Sequence, residues 1–106
     1  MKVQINTGGM IRGSQAFNAS LTDLISEKLK RFDPYVTRIE CYLKDVDGAK
    51  NGLDDKRCAL EARVEGMQPF AVVSSADSYD RAVAEALARL EASLGSVIGK
   101  LTKHRV

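Results

Sequence analysis

Lys28, Lys30, Arg31, Arg81, Arg89, Lys100, Lys103 and Arg105 are the side chains of this chain with a binding chemistry to offer. Each is a donor-only cation that stays charged at neutral pH and meets phosphate oxygens well. RNA helices are recognised mainly by shape and backbone, so cations scattered over two helices suffice to track phosphates. A protein making about five such contacts loses affinity steeply with salt. The plain alternative is solvated helix faces. Charge by itself favours it, because Lys and Arg are mostly exposed in any protein. The net charge of +2 does not announce a nucleic acid, but Lys100, Lys103 and Arg105 crowd the C-terminus with no acid among them.

Other chemistries find little support. There is no Ser-His-Asp set, no phosphate loop and no nucleophile elbow, and Gly8-Gly9 alone is loop chemistry, so no enzyme is expected. Asp45, Asp47, Asn51, Asp54 and Asp55 invite a calcium reading. The EF-hand template fails because Ala49 occupies a required ligand position and no Glu closes the loop. Cys41 and Cys58 form no CxxC pair and read as reduced, inward-facing core residues. A disulfide would need their side chains to meet closely. Zinc would need more ligands, and His104 lies far along the chain. No cofactor and no metal are expected. Tyr42 and Tyr79 have faces on which bases could stack. Tyr79 is better read as packing at a helix entrance, and Tyr42 as decorating a wet sheet face.

The cations need elements to hold them. The most regular is Asp77 to Leu101, where Val83, Leu87, Leu90, Leu94, Val97 and Leu101 recur at steps of four and three. That spacing predicts a helix with one apolar seam. Its other side carries Arg81, Glu85, Arg89, Ser96, Lys100 and Lys103. A first helix is predicted from Ser20 to Phe32, with Ser20 as cap, Asp23 three residues on, and Leu21, Leu24, Ile25, Leu29 and Phe32 as its buried stripe. Glu27 and Arg31 are one turn apart and can pair. Pro34 is expected to stop this helix by pushing Asp33 out of the helical region. Ser14 to Phe17 reads as one irregular turn.

Four stretches alternate as strands. These are Lys2 to Asn6, Val36 to Lys44 with Thr37, Ile39, Cys41 and Leu43 inward, Arg57 to Glu65, and Phe70 to Ser74. Thr7 to Gly13 and Asp45 to Lys56 read as loops, and Gly66 to Pro69 as a tight turn. The order is β-α-β-β-β-α. Strict alternation leaves one sheet face apolar and one polar. The fold class is therefore α+β: a four-stranded sheet with two helices packed on one face and the other face wet. The 106 residues suit a single domain, 1–106, with 100–106 as a basic tail. Apolar content of 44% and charged content of 28% are those of a soluble globular protein. No membrane span or export signal is read, and the expected location is cytoplasmic.

Three stretches carry a resemblance. They are Ser20 to Phe32 running on to Ile39 through Asp45, the hairpin Leu60 to Val73, and Ser75 to Val83 opening the long helix. Together they resemble the ribosome hibernation promoting factor family, also called ribosome-associated inhibitor or sigma 54 modulation proteins. The best of the signals are Glu27-Lys28-Leu29 and the Asp77-Ser78-Tyr79 opening. The resemblance implies a fold similar to double-stranded RNA-binding domains. It further implies binding to the 30S ribosomal subunit and its 16S rRNA in the decoding region, and repression of translation in stress. A chain ending at Val106 looks like a short member. Ala92, Ser93, Gly95 and Ser96 stand where that family carries further basic or polar residues. The resemblance reverses the odds that charge alone set for the eight cations. The runner-up is a protein-interaction module that has lost RNA binding and self-associates, as a weak homodimer, through Val97, Ile98 and Leu101.

Overall fold

In a computed structural model the chain is described over residues 1–7, 15–46 and 55–103, with the side chains of 102 and 103 left aside. The elements follow the expected order. They are β1 (Lys2–Asn6), α1 (Gln15–Lys28), a single 3-10 turn (Lys30–Phe32), β2 (Val36–Asp45), β3 (Lys56–Val64), β4 (Phe70–Ala76) and α2 (Tyr79–Lys103). The strands lie side by side as β1-β2-β3-β4. β1 and β2 run parallel, as strands joined through a helix can. β2–β3 and β3–β4 are antiparallel.

One core holds the sheet to both helices. Ile39, Cys41 and Leu43 of β2 and Cys58, Leu60, Ala62 and Val64 of β3 meet Leu21 and Ile25 of α1. From α2 come Ala82, Val83, Ala86, Leu87, Leu90, Leu94 and Ile98. Both helices therefore cover the same face, and burial of this apolar area is what drives the pieces together.

α2 begins as its sequence dictates. Ser78 caps it, its Oγ accepting from the Arg81 amide at 3.2 Å. The predicted seam holds over Val83, Leu87, Leu90 and Leu94. Val97 is half-buried, and Leu101 is 37% exposed. The steps from Val83 to Leu101 close on whole turns, so Leu101 keeps the seam's direction. It is exposed for want of a neighbour beyond Ile98, which is 7% exposed. The helix runs on to Lys103, so Lys100 stands on a helix rather than in a tail.

α1 departs from expectation. It starts at Gln15, so Ser20 lies inside the helix and is not its cap. The missed signal is Phe17, one turn before Leu21 and packed against the core. Leu24, placed in the buried stripe by sequence, is 46% exposed because it sits on the flank of the Leu21–Ile25 face. Asp33 keeps right-handed helical angles (φ −50°, ψ −40°) in spite of Pro34. The chain turns there by way of a Tyr35 amide donating to the Phe32 carbonyl at 2.9 Å.

The strand alternation is right apart from one irregularity. The β2–β3 register shifts between Val36 and Arg38. Such a shift moves one residue out of step. Val36 is buried, and Thr37, predicted inward, faces solvent with its Oγ1 donating to the Arg63 carbonyl at 3.1 Å. β4 runs two residues further than predicted, to Ala76. In the β3–β4 turn Gly66 has φ +81°, a left-handed angle that side-chain-bearing residues rarely adopt.

Candidate nucleic-acid interface

The six predicted cations whose side chains are described do not all gather at one place. α1 and its 3-10 turn bring Lys28 and Arg31 to the same place, where both approach Glu91 of α2, at 4.0 and 3.9 Å. Arg31 thus meets α2, and its guanidinium also lies over the Phe32 ring, 4.4 Å from the centroid. A single half-buried carboxylate serves two exposed cations, which leaves this junction net positive. Gly95 keeps the α2 wall low there: a Cβ on it would meet Arg31 Nη2 at 3.8 Å.

Lys30 points elsewhere, into a groove with Asp23, Glu27 and Asp33. Arg81, at the start of α2, is held by Asp77 at 3.4 Å. Arg89 donates through Nη1 to the Val73 carbonyl on β4 at 2.7 Å. At about 100° per residue, Arg89 lies nearly opposite Glu91 around α2. It therefore serves the β4 edge, not the Lys28–Arg31 junction. Lys100 is exposed and has no carboxylate within 4.0 Å among the described residues. The Lys103 side chain and Arg105 lie outside the described residues. Sequence spacing found the two helices but not the acids of other elements, which only the packing brings alongside.

The open face of the sheet carries Tyr42, where the sequence placed it, and charged groups to which sequence reasoning assigned no role. Glu40 points to this face, yet it is only 5% exposed. Its carboxylate accepts from Asn6 Nδ2 at 2.9 Å and pairs with Arg38, whose Nη2 in turn donates to Gln4 Oε1 at 2.7 Å. The hydrogen bond from Asn6, followed by Arg38, holds the Glu40 carboxyl below its ordinary value against the opposing effect of burial. Beyond it stand Tyr42, Lys44 and Arg57, all exposed.

The remaining candidates fall to structural roles. Lys56 is clasped by Asp45 and Asp55, at 3.1 Å each, and these bonds, Asp55 first, raise its ammonium pKa. Asp45 and Asp55 thereby serve the base of the hairpin, and Asp47, Asn51 and Asp54 lie outside the described residues. Tyr79 packs at the entrance of α2 as expected, with Lys56 5.8 Å from its ring centroid. Burial raises its hydroxyl pKa. Cys41 and Cys58 are buried free thiols with Sγ atoms 3.9 Å apart, too far for a bond. The contact with Cys41, then burial, pushes the Cys58 thiol up, away from reactivity. Among the described residues no group of three His, Cys, Asp or Glu side chains could hold a metal ion. No helix among them is long and apolar enough to cross a membrane.

No protein-family model matches the sequence, and no curated protein matches it. Solved structures do match. One is a ribosomal subunit interface protein from Coxiella burnetii, with a TM-score of 0.68 and 19% identity over 93% of this chain and 99% of that one. Another is the N-terminal domain of Protein Y from Thermus thermophilus, with a TM-score of 0.66 and 19% identity over 92% and 99%. At that identity the likeness is one of fold, and the β-α-β-β-β-α sheet with two helices on one face is the fold this chain shares with both.

Proposed function

We infer that the chain binds the ribosome, on the 30S subunit and through its 16S rRNA, and represses translation as a hibernation factor in the cytoplasm under stress. It would act by occupancy: it fills a site, excludes ligands and runs no reaction. The observation that carries this reading is the match along nearly the whole chain to a protein described as a ribosomal subunit interface protein. The Lys28–Arg31 junction supports it with two exposed cations against one carboxylate. Lys100 is an exposed charge further along α2, but it stands on the side of the helix that Arg89 occupies, away from that junction. The small residues Ala92, Gly95 and Ser96 leave room for a backbone of another molecule to approach α2. Arg81 and Arg89 have other engagements, and Lys30 faces a groove lined by Asp23, Glu27 and Asp33, so the three enter this reading as minor contributors.

Co-sedimentation with 30S subunits at low and high salt tests it. Binding is expected at low salt and should fade as salt rises. Lys28→Glu with Arg31→Glu should abolish it, whereas Arg81→Gln should change it little. Absence of binding at low salt, with the protein folded, would overturn the reading. Self-association through α2 loses support: Ile98 is buried within the monomer, leaving mainly Leu101 and part of Val97. A stable interface needs about 1,000 Å².

A further inference from the structure

The open face of the sheet holds two pairs of cations directly opposite one another, Arg38 with Arg63 and Lys44 with Arg57. Side chains so placed are about 5 Å apart at Cβ, and like charges there destabilise the sheet. The first pair is neutralised in place. Arg38 pairs with Glu40, and Arg63 approaches Glu61 at 3.8 Å, the two acids forming the next row of the same strands. Among the described residues the second pair has no such relief. Neither Lys44 nor Arg57 has a carboxylate within 4.0 Å among the described residues. The two acids nearest in sequence, Asp45 and Asp55, are both spent on Lys56.

The row beside this unrelieved pair is apolar on β2, β3 and β4, with Asn6 of β1 at its end. Tyr42, Ala59 and Val73 stand abreast on β2, β3 and β4. Tyr42 is 42% exposed and Val73 44% exposed. Tyr42 and Lys44 are two residues apart on one strand, which is about 6.8 Å. A flat ring flanked by small side chains, with two cations one step along, matches a base stacked over its own backbone phosphate. The row offers no deep recess for a peptide side chain: between Tyr42 and Val73 it holds only Ala59. Duplex RNA buries its base faces and could use only the cations.

We propose that Tyr42, Lys44 and Arg57, with Ala59 and Val73, form a binding surface for single-stranded RNA on the face of the sheet opposite the helices. Tyr42 takes a base, and Lys44 and Arg57 take phosphate. This goes beyond the ribosome reading and does not depend on it: the residues, the face of the molecule and the assay all differ.

Isotope-labelled protein titrated with a short oligoadenylate at low salt tests the proposal by NMR. Amide shifts are expected at Tyr42, Lys44, Arg57 and Ala59. Tyr42→Ala should weaken binding at least about fivefold, the lower end of what a stacked base contributes. Lys44→Gln with Arg57→Gln should weaken it by about tenfold or more and flatten its salt dependence. Both variants should keep wild-type circular dichroism, and the double variant should melt no lower than wild type, since it removes a repulsion. Inorganic polyphosphate should bind more weakly than the oligonucleotide and lose nothing from Tyr42→Ala. Lys28→Glu with Arg31→Glu should leave the oligonucleotide affinity intact, which separates this surface from the ribosome reading. Shifts confined to the helices, equal binding of polyphosphate, an unchanged affinity in Tyr42→Ala, or displacement by an equal concentration of polyglutamate would each overturn it.

Discussion

The two faces of the β2–β3 pair exclude water by different means. On the helix side, Ile39, Cys41, Cys58, Leu60 and Ala62 are wholly buried because α1 and α2 lie over them. On the other side no described element lies over Glu40, yet it is 5% exposed, as hidden as Leu21 or Phe32. Its neighbours do the covering: Asn6 from one strand, Arg38 from its own, with Gln4 holding Arg38 in place. Apolar burial is non-directional and asks only for area and fit. Burial of a carboxylate asks for named partners at hydrogen-bond distance, or it is costly. The difference teaches that the open face is not uniformly a solvated surface. One end is a closed polar network and the other, at Lys44 and Arg57, is unfinished.

The contrast can be broken in order of expected effect. Leu90→Ala, at a position with no exposure, should cost about 2–5 kcal/mol in a urea titration. Val73→Ala on the open face should cost less than about 0.5 kcal/mol. Equal losses would mean that the helix-covered side is not the main source of stability.

Glu40 should come next. Glu40→Gln removes the charge that Arg38 faces and should lower the melting temperature, whereas Glu61→Gln, at a more exposed carboxylate, should scarcely move it. The pH dependence carries a sign. The folded-state pKa of Glu40 lies below that of the unfolded chain. Its contribution is therefore present above about pH 4.3 and is lost as pH falls through the folded value. The gap in stability between wild type and Glu40→Gln should be full at pH 6 and close on acidification. A gap that widens in acid would contradict the hydrogen-bonded carboxylate.

The smallest effect is the most diagnostic. Arg57→Gln removes one member of the unrelieved pair and should raise the melting temperature by about 1–3 °C. Arg63→Gln, in the pair neutralised by Glu61, should not. If both raise it equally, the two ends of the open face are electrostatically alike and the distinction drawn above fails.

Much of this was legible from residue order, for a definite reason. Helix and strand periods are local, so the seam of Val83, Leu87, Leu90 and Leu94 and the alternation of Cys58, Leu60, Ala62 and Val64 announce their elements and their buried sides without reference to the rest. Two helices on one sheet face follow from that pattern. The misses share a cause as well. Leu24 and Thr37 were misplaced because a flank angle and a register shift depend on what lies opposite. The candidate interface was read from charges on single elements, and two of the engagements that dispersed it are long-range, Arg31 with Glu91 and Arg89 with Val73, while Arg81 with Asp77 is local, one turn away.

What the sequence by itself determined is the set of elements and which side of each turns inward, since hydrophobic burial responds to patterns a few residues long. Only the tertiary structure decided which charges are spent and which are left over. Charge pairing acts across space between residues far apart in the chain, and only the packed sheet brings Asn6 to Glu40, sets Lys44 against Arg57, and carries Glu91 to Lys28.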